Sequence, residues 1–137
     1  MRQRDFTWPV RVYYEDTDAA GVVYYANYLK FMERARTEWL RALGFEQTAL
    51  RRDHNVIFVV RSLAVEYLLP ASFNDELDVT VSLAAARGSL HRMAQSVRHG
   101  ERDLVTGEVG VACVNTQSFK PVRIPKSILD KFAMRQA

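Results

Sequence analysis

The pattern of hydrophobic and polar positions predicts a strand followed by a long helix. Apolar and polar residues alternate over residues 10–14, which is typical of a strand with one buried face. Over residues 25–43 apolar side chains recur every three or four positions, which predicts a helix that starts near Tyr24. Such a helix of about 20 residues would be roughly 30 Å long. Gly44 follows it, at a position where glycine commonly ends a helix.

The rest of the chain is dominated by strand patterns. A short helix is predicted over residues 47–52, and Pro125 opens a last helix that reaches residue 132. Apolar or alternating runs predict four strands, at 56–68, 77–83, 89–99 and 104–116. The prediction is weaker for 89–99, because polar residues such as His91 interrupt its pattern. Because helix and strands are segregated along the chain, the fold class is α+β with a mainly antiparallel sheet. One long helix covers only one face of that sheet, so we expect the chain to pair with a copy of itself.

Composition favours a single folded domain over residues 1–137, with loose ends at 1–5 and 134–137. Hydrophobic residues make up 48% and charged residues 26%, which suits a globular core and not disorder. No apolar run approaches the roughly 18 residues of a membrane-spanning helix, and no secretory signal is expected. Cys113 is the one cysteine, so no internal disulfide forms and a reducing, cytoplasmic location is the expectation.

Charge and side-chain chemistry exclude several classes of function. The net charge is only +3 and is spread along the chain, which suits a solvated surface or a phosphate-bearing ligand. His54, His91 and His99 lack the spacing of metal ligands, so no metal site is predicted. The serines lack a nucleophile-elbow pattern, which argues against a Ser-His-Asp hydrolase. The paired tyrosines adjoin an acidic loop, not a basic strip, so nucleic acid is not an expected partner.

Two carboxylates, Asp16 and Asp18, lie directly before the predicted helix. In one interpretation either carboxylate caps the helix or shapes the preceding turn. In the other, a carboxylate and the free N–H groups of the helix start face the same small space. The N–H groups would then hold an oxyanion, and the carboxylate would attack or activate water. Gly21 would let the backbone approach a ligand closely.

The segment from Arg11 to Tyr28 resembles the active-site signature of the 4-hydroxybenzoyl-CoA thioesterase family. The resemblance continues in Glu33-Arg34-Ala35-Arg36-Thr37-Glu38, Phe58-Val59-Val60-Arg61, Val65-Glu66-Tyr67 and Ile124-Pro125-Lys126-Ser127-Ile128, and so covers nearly the whole chain. It is strongest to the Tol-Pal-associated acyl-CoA thioesterases of the YbgC type. The implied fold is the hot-dog fold, in which a curved antiparallel sheet wraps a long central helix. The implied active sites lie between two subunits.

The resemblance also implies roles for individual residues. Asp18 occupies the position of the family's catalytic carboxylate, as nucleophile or as general base. The backbone N–H of Tyr25 matches the amide that polarises the thioester carbonyl. Many relatives have histidine at this position, and tyrosine, with a reference pKa of about 10, cannot replace it as a base at neutral pH.

The implied reaction is hydrolysis of acyl-CoA or of acyl carrier protein. CoA belongs to the substrate, and no cofactor is expected. Basic side chains would bind the CoA phosphates, and Arg61, Arg87 and Arg92 are the candidates, the last two on either side of a turn at Gly88. The protein would be a homodimer or homotetramer, and peripheral association with the inner membrane is compatible with this interpretation. A noncatalytic acyl-binding module is the alternative. A hot-dog dehydratase fits less well, because that chemistry uses a histidine and the loop has none.

Overall fold

The structure, a computed structural model, describes residues 6–136. The three helices are α1 (Asn27–Ala42), α2 (Gln47–His54) and α3 (Lys126–Gln136). The five strands are β1 (Phe6–Arg11), β2 (Val56–Tyr67), β3 (Glu76–Arg87), β4 (Leu90–His99) and β5 (Arg102–Asn115). The expected loose ends at 1–5 and at 137 lie outside the described residues, and α3 includes residues 134–136. Among the described residues, no helix has the length and apolar character needed to cross a membrane.

The strands form one sheet in the order β1-β3-β4-β5-β2, and every neighbouring pair is antiparallel. The predicted α+β class with an antiparallel sheet is therefore confirmed. The β3–β4 and β4–β5 connections turn at Gly88 and Gly100, whose φ angles of 65° and 64° favour glycine. Side chains along β4 alternate between buried and exposed, so one face of the sheet is covered and the other is open.

Helix α1 packs on the covered face because its apolar side chains recur at helical spacing. Its buried residues include Phe31, Met32 and Trp39. The approach to the sheet is close at Gly107, where a Cβ atom would lie 3.0 Å from the Cε atom of Met32. Helix α3 packs on the same face, with the ring of Phe132 stacked 5.2 Å from the Trp39 ring. The two helices and the sheet thus share one hydrophobic core.

Two predicted boundaries before and at α1 are wrong. The first strand is Phe6–Arg11 instead of residues 10–14, because the chain leaves the sheet and forms a short 3-10 turn at Tyr14–Asp16. Helix α1 starts at Asn27 instead of near Tyr24. Val22 and Val23 are held in extended conformation by bridges to Ser72 and Thr17, so the backbone becomes helical only after them.

The two edges of the sheet differ in their capacity to pair with another strand. Strand β1 spans six residues and contains Pro9, which has no N–H to donate. Strand β2 spans twelve residues without proline, and its exposed side chains include Val60 (52% exposed), Leu63 (43%) and Tyr67 (47%). A long apolar edge of this kind favours pairing with another strand. Strand β2 is therefore the edge open to a partner.

Candidate active site

The loop before α1 is a tight hairpin that presents Asp18 to solvent. The N–H of Asp18 donates to the carbonyl of Val22 at 2.9 Å, and the N–H of Gly21 donates to the carbonyl of Asp18 at 3.0 Å. Gly21 has a φ angle of 84°, which a side chain would strain. The Oδ1 atom of Asp18 accepts the N–H of Ala20 at 2.8 Å. Among the described residues no cation forms an ion pair with this exposed carboxylate.

Asp16 has a structural role in the same loop. Its side chain is buried, and its Oδ2 atom accepts the N–H of Tyr13 at 2.8 Å, which closes the 3-10 turn. Its backbone carbonyl accepts the N–H of Tyr24 at 2.9 Å and the Nδ2 group of Asn27 at 3.0 Å. Asp16 thus shapes the turn, as predicted, and it ties the loop to the first residue of α1.

The start of α1 has no capping side chain. The residue before the helix is Ala26, a poor cap, and neither the carboxylate of Asp16 nor that of Asp18 accepts an N–H of the helix N-terminus. The interpretation in which one of these carboxylates caps the long helix is therefore wrong. Within residues 6–136, the N–H groups of Tyr25 and Ala26 donate to no acceptor. These free donors, together with the positive end of the helix dipole, favour an oxygen that carries negative charge.

A cavity of about 270 Å³ lies beside this helix start. Two segments line this cavity. The segment at the start of α1 contributes Val23, Tyr25 and Tyr28, and the segment at the end of β2 contributes Tyr67, Leu68, Leu69 and Pro70. The hydroxyl of Tyr28 accepts the N–H of Ala71 at 3.0 Å. Burial raises the pKa of Tyr28, and the negative charge of Asp18 contributes to the same shift. The contribution of Asp18 is the smallest of these, after those of Tyr67 and Asp75.

The three arginines predicted for phosphate binding line one cavity of about 590 Å³. Arg61 lies at a bulge in β2, Arg87 ends β3, and Arg92 belongs to β4. Arg92 is 3.9 Å from Glu108, and both side chains are mostly exposed, so this pair contributes little stability. Three guanidinium groups around one cavity suit an anion with several phosphates. Neither Asp18 nor Tyr25 lines this cavity, so the predicted site residues fall into two separate groups within one chain.

The sequence alone did not single out three residues that the structure places at or near these sites. Asn27 clamps the loop, and Tyr67 lines the cavity beside α1. The place of Asn27 at the helix start was a usable signal, because asparagine favours helix N-termini. His91 is buried at 3% exposure among the rings of Trp39 and Phe132, and its Nδ1 atom has no hydrogen-bond partner among the described residues.

Burial shifts the pKa values of two further groups so that both are uncharged at neutral pH. Burial, aided by the charge of Arg36, lowers the pKa of His91 to about 4, so this imidazole is neutral. Burial raises the pKa of the Cys113 thiol to about 11, so the side chain stays a neutral thiol and packs in the core as a small hydrophobe. Within residues 6–136, no three His, Cys, Asp or Glu side chains are grouped so that they could hold a metal ion.

Comparisons with known proteins agree on one family. The profile of the Thioesterase-like superfamily matches residues 12–132. The chain is 48% identical to the acyl-CoA thioester hydrolase YbgC of Escherichia coli over 93% of this chain and 95% of that protein. It is 43% identical to the acyl-CoA thioesterase YbgC of Haemophilus influenzae over 96% and 97% of the two chains. The crystal structure of a probable thioesterase from Bartonella henselae superposes with a TM-score of 0.85 at 38% identity, covering 89% of this chain and 100% of that one.

Proposed function

The chain belongs to the thioesterase-like superfamily, and from this membership we infer that it is an acyl-CoA thioester hydrolase. The observation that carries the inference is the near full-length similarity to two acyl-CoA thioester hydrolases. The hot-dog fold implied by the resemblance is confirmed by the superposition on a solved thioesterase structure. The reaction adds water to the thioester carbonyl and breaks the C–S bond, which releases a free acid and CoA as its thiol.

Asp18 is the catalytic carboxylate in this proposal. The support is its position in the resembling motif, its exposure and its lack of an ion-pair partner among the described residues. As a general base it takes a proton from the attacking water, and that proton then leaves with the CoA thiol. As a nucleophile it attacks the carbonyl carbon itself and expels CoA as a thiolate. Water then cleaves the resulting anhydride, which releases the acid, restores Asp18 and supplies the proton of the CoA thiol. Both routes need a carboxylate that no neighbouring cation neutralises.

The start of α1 supplies the oxyanion site in this proposal. The carbonyl oxygen of a thioester gains negative charge as the tetrahedral intermediate forms. The free N–H of Tyr25 and the positive end of the helix dipole stabilise that charge more than they stabilise the ground state, which accelerates the reaction. The tyrosine ring has no chemical task here, so the absence of the histidine found in many relatives leaves this donor unchanged.

Arg61, Arg87 and Arg92 hold the phosphates of CoA in this proposal. Their shared cavity also has apolar walls at Ala86 and Leu90, which suit the adenine ring. Because this cavity and the Asp18 loop do not share lining residues, one chain does not present a continuous site for the whole acyl-CoA molecule.

A second copy of the chain completes the site in this proposal. The exposed apolar edge of β2 supports pairing of two sheets about a twofold axis. Tyr67 connects the two features, since it ends this strand and lines the cavity beside α1. The protein is then a homodimer, or a tetramer built from two such dimers.

The resemblance to the Tol-Pal-associated thioesterases supports three further proposals. The acyl group can be carried by acyl carrier protein as well as by CoA. The protein is cytoplasmic, with peripheral association at the inner membrane, and it works beside the Tol-Pal system. No cofactor takes part, because the carboxylate and the backbone donors suffice for the hydrolysis.

Asp18→Asn is the direct test, because it keeps the shape of the side chain and removes its charge. Thiol release from a panel of acyl-CoA substrates is measured for this variant, for Asp16→Asn and for Glu15→Gln. We expect Asp18→Asn to lower kcat by a factor on the order of 10², as for other positioned acid-base groups. Asp16→Asn should lower it less, because asparagine still offers an oxygen to Tyr13. Glu15→Gln, an exposed carboxylate in the same loop, is the matched control.

The outcomes separate the competing functions. A folded Asp18→Asn variant with the wild-type rate contradicts the proposed catalytic carboxylate. A wild-type protein that binds acyl-CoA in a calorimetric titration but releases no thiol from any substrate is instead the noncatalytic acyl-binding module.

A further inference from the structure

Tyr67 makes a hydrogen bond that the helix itself does not make. Its hydroxyl donates to the backbone carbonyl of Tyr25 at 3.1 Å. In a regular helix this carbonyl would accept the N–H of Leu29, four residues later. Here the N–H of Leu29 donates to Ala26 at 3.1 Å instead. The carbonyl of Tyr25 is thus outside the helical hydrogen-bond ladder, and among residues 6–136 its partner is the Tyr67 hydroxyl.

This carbonyl belongs to the peptide group whose N–H is that of Ala26. A hydrogen bond accepted by the oxygen of a peptide group polarises the group and strengthens its N–H as a donor. The preceding peptide has the same arrangement, since the carbonyl of Tyr24 accepts the N–H of Asn27 at 2.8 Å, and its own N–H is that of Tyr25. Both free donors at the helix start therefore belong to peptide groups whose oxygens are hydrogen-bonded.

The tyrosine rings hold the hydroxyl of Tyr67 in place. The Tyr67 ring lies 5.8 Å from the Tyr28 ring and 6.2 Å from the Tyr25 ring, the latter in an edge-to-face arrangement. Tyr28 is itself fixed by the N–H of Ala71. The hydroxyl therefore reaches the Tyr25 carbonyl from a side chain that ends strand β2 and packs against two other tyrosine rings.

We propose that Tyr67 is a positioning residue for hydrolysis, whose hydroxyl orients and polarises the peptide group that carries the Ala26 N–H, the free donor next to that of Tyr25 at the start of α1. The inference rests on the proposed function of that helix start as the oxyanion site. It assigns Tyr67 no contact with the substrate. Because Tyr67 is the last residue of the exposed edge strand β2, the geometry of the donors depends on the same strand that is open to a partner.

Tyr67→Phe tests the inference, because it removes the hydroxyl and keeps the ring. We expect kcat to fall about 10-fold, less than the roughly 10²-fold cost of losing an oxyanion donor outright, with KM unchanged. The melting temperature should move by less than about 4 °C, since a single hydrogen bond at an exposed site contributes little net stability. Tyr14→Phe is the matched control, because it removes an exposed hydroxyl from the same region and should keep the wild-type kcat.

A second measurement reads the contact without turnover. Loss of the hydrogen bond to the Tyr25 carbonyl weakens the polarisation of the adjacent N–H. The amide proton of Ala26 in a ¹⁵N-labelled sample should therefore shift upfield in Tyr67→Phe and stay in place in Tyr14→Phe.

Three outcomes would overturn the inference. The first is a Tyr67→Phe variant with the wild-type kcat, whether or not the Ala26 amide shifts. The second is a rise in KM together with a large loss of melting temperature, which indicates a purely structural residue. In both of these cases the proposed function still holds if the wild-type protein hydrolyses acyl-CoA and the Asp18→Asn variant does not. The third is a wild-type protein that hydrolyses no acyl-CoA, which removes the proposed function and the inference with it.

Discussion

Acidification should destabilise the protein, and the buried His91 should account for a defined part of the loss. Its imidazole is neutral in the folded chain and has a pKa near 4 there, against 6.5 when solvated. The unfolded chain therefore takes up a proton at His91 as the pH falls below 6.5, while the folded chain does not. The resulting loss of stability begins near pH 6.5 and is complete below pH 4.

The magnitude follows from the two pKa values. A difference of about 2.5 units corresponds to about 3 kcal/mol of unfolding free energy when the protonation is complete. Between pH 7 and pH 5 the loss should be about 2 kcal/mol, because the folded form is still mostly neutral at pH 5. This is a large share of the 5–15 kcal/mol that is typical of folded domains.

His91→Phe removes the titration and keeps an aromatic ring in contact with Trp39 and Phe132. It also removes the Nδ1 atom that has no hydrogen-bond partner, so its stability at pH 7 should lie within about 1.5 kcal/mol of wild type. The control is His54→Gln, an exposed histidine at the end of α2. Urea unfolding at pH 7 and at pH 5, followed by tryptophan fluorescence at one fixed protein concentration, gives the free energies.

Wild type and His54→Gln should each lose about 2 kcal/mol more than His91→Phe between these pH values. Carboxylates that titrate in this range affect all three proteins equally and cancel in the difference. If His91→Phe loses the same free energy as wild type, His91 is not a buried neutral imidazole and the reasoning fails.

Two predictions concern the assembly and the CoA site. Light scattering at micromolar concentration should show a dimer or tetramer. Leu63→Asp on the exposed β2 edge should shift the protein toward monomer, with loss of hydrolysis. A monomer with full activity would exclude a shared site. Arg87→Ala and Arg61→Ala should each raise KM for acyl-CoA by about 10-fold with little change in kcat. Neither variant should change KM for an acyl-pantetheine substrate, which lacks these phosphates. The control Arg51→Ala on α2 should leave KM unchanged for both substrates. If all variants have the wild-type KM for acyl-CoA, the phosphates bind elsewhere.

Local sequence patterns predicted which helices and strands this fold contains. They did not predict the boundaries that depend on contacts between residues distant in sequence. The strand predicted over residues 89–99 is β4 within one residue, because side chains at alternate positions follow the two faces of the sheet. Two of its polar residues, His91 and Gln95, are nevertheless buried. The side-chain amide of Gln95 donates to the carbonyls of Met32 and Thr80 at 3.1 and 3.3 Å, which offsets the free-energy cost of burying it. Both partners lie far away in sequence. No local pattern contains those partners.

The candidate site was predictable to the extent that it depends on motif and turn chemistry. The prediction that Asp16 shapes the turn came from the sequence, and Gly21 has the left-handed backbone that glycine allows. The late start of α1 was not predictable, because it depends on bridges to Ser72 and Thr17. The grouping of Arg61 with Arg87 was also hidden, since the order of strands in the sheet brings their positions to one cavity.

Pro9 on the β1 edge limits how far such a sheet can grow. A sheet with two open edges can add strands on both sides without end, which is the geometry of fibrils. Here Pro9 has no N–H to donate from β1, which spans Phe6–Arg11 among the described residues. Each chain then has one sheet edge, β2, that is suited to pairing with another strand. When two chains pair through their β2 strands, neither has such an edge left. A single proline within β1 therefore disfavours the growth of such dimers into filaments.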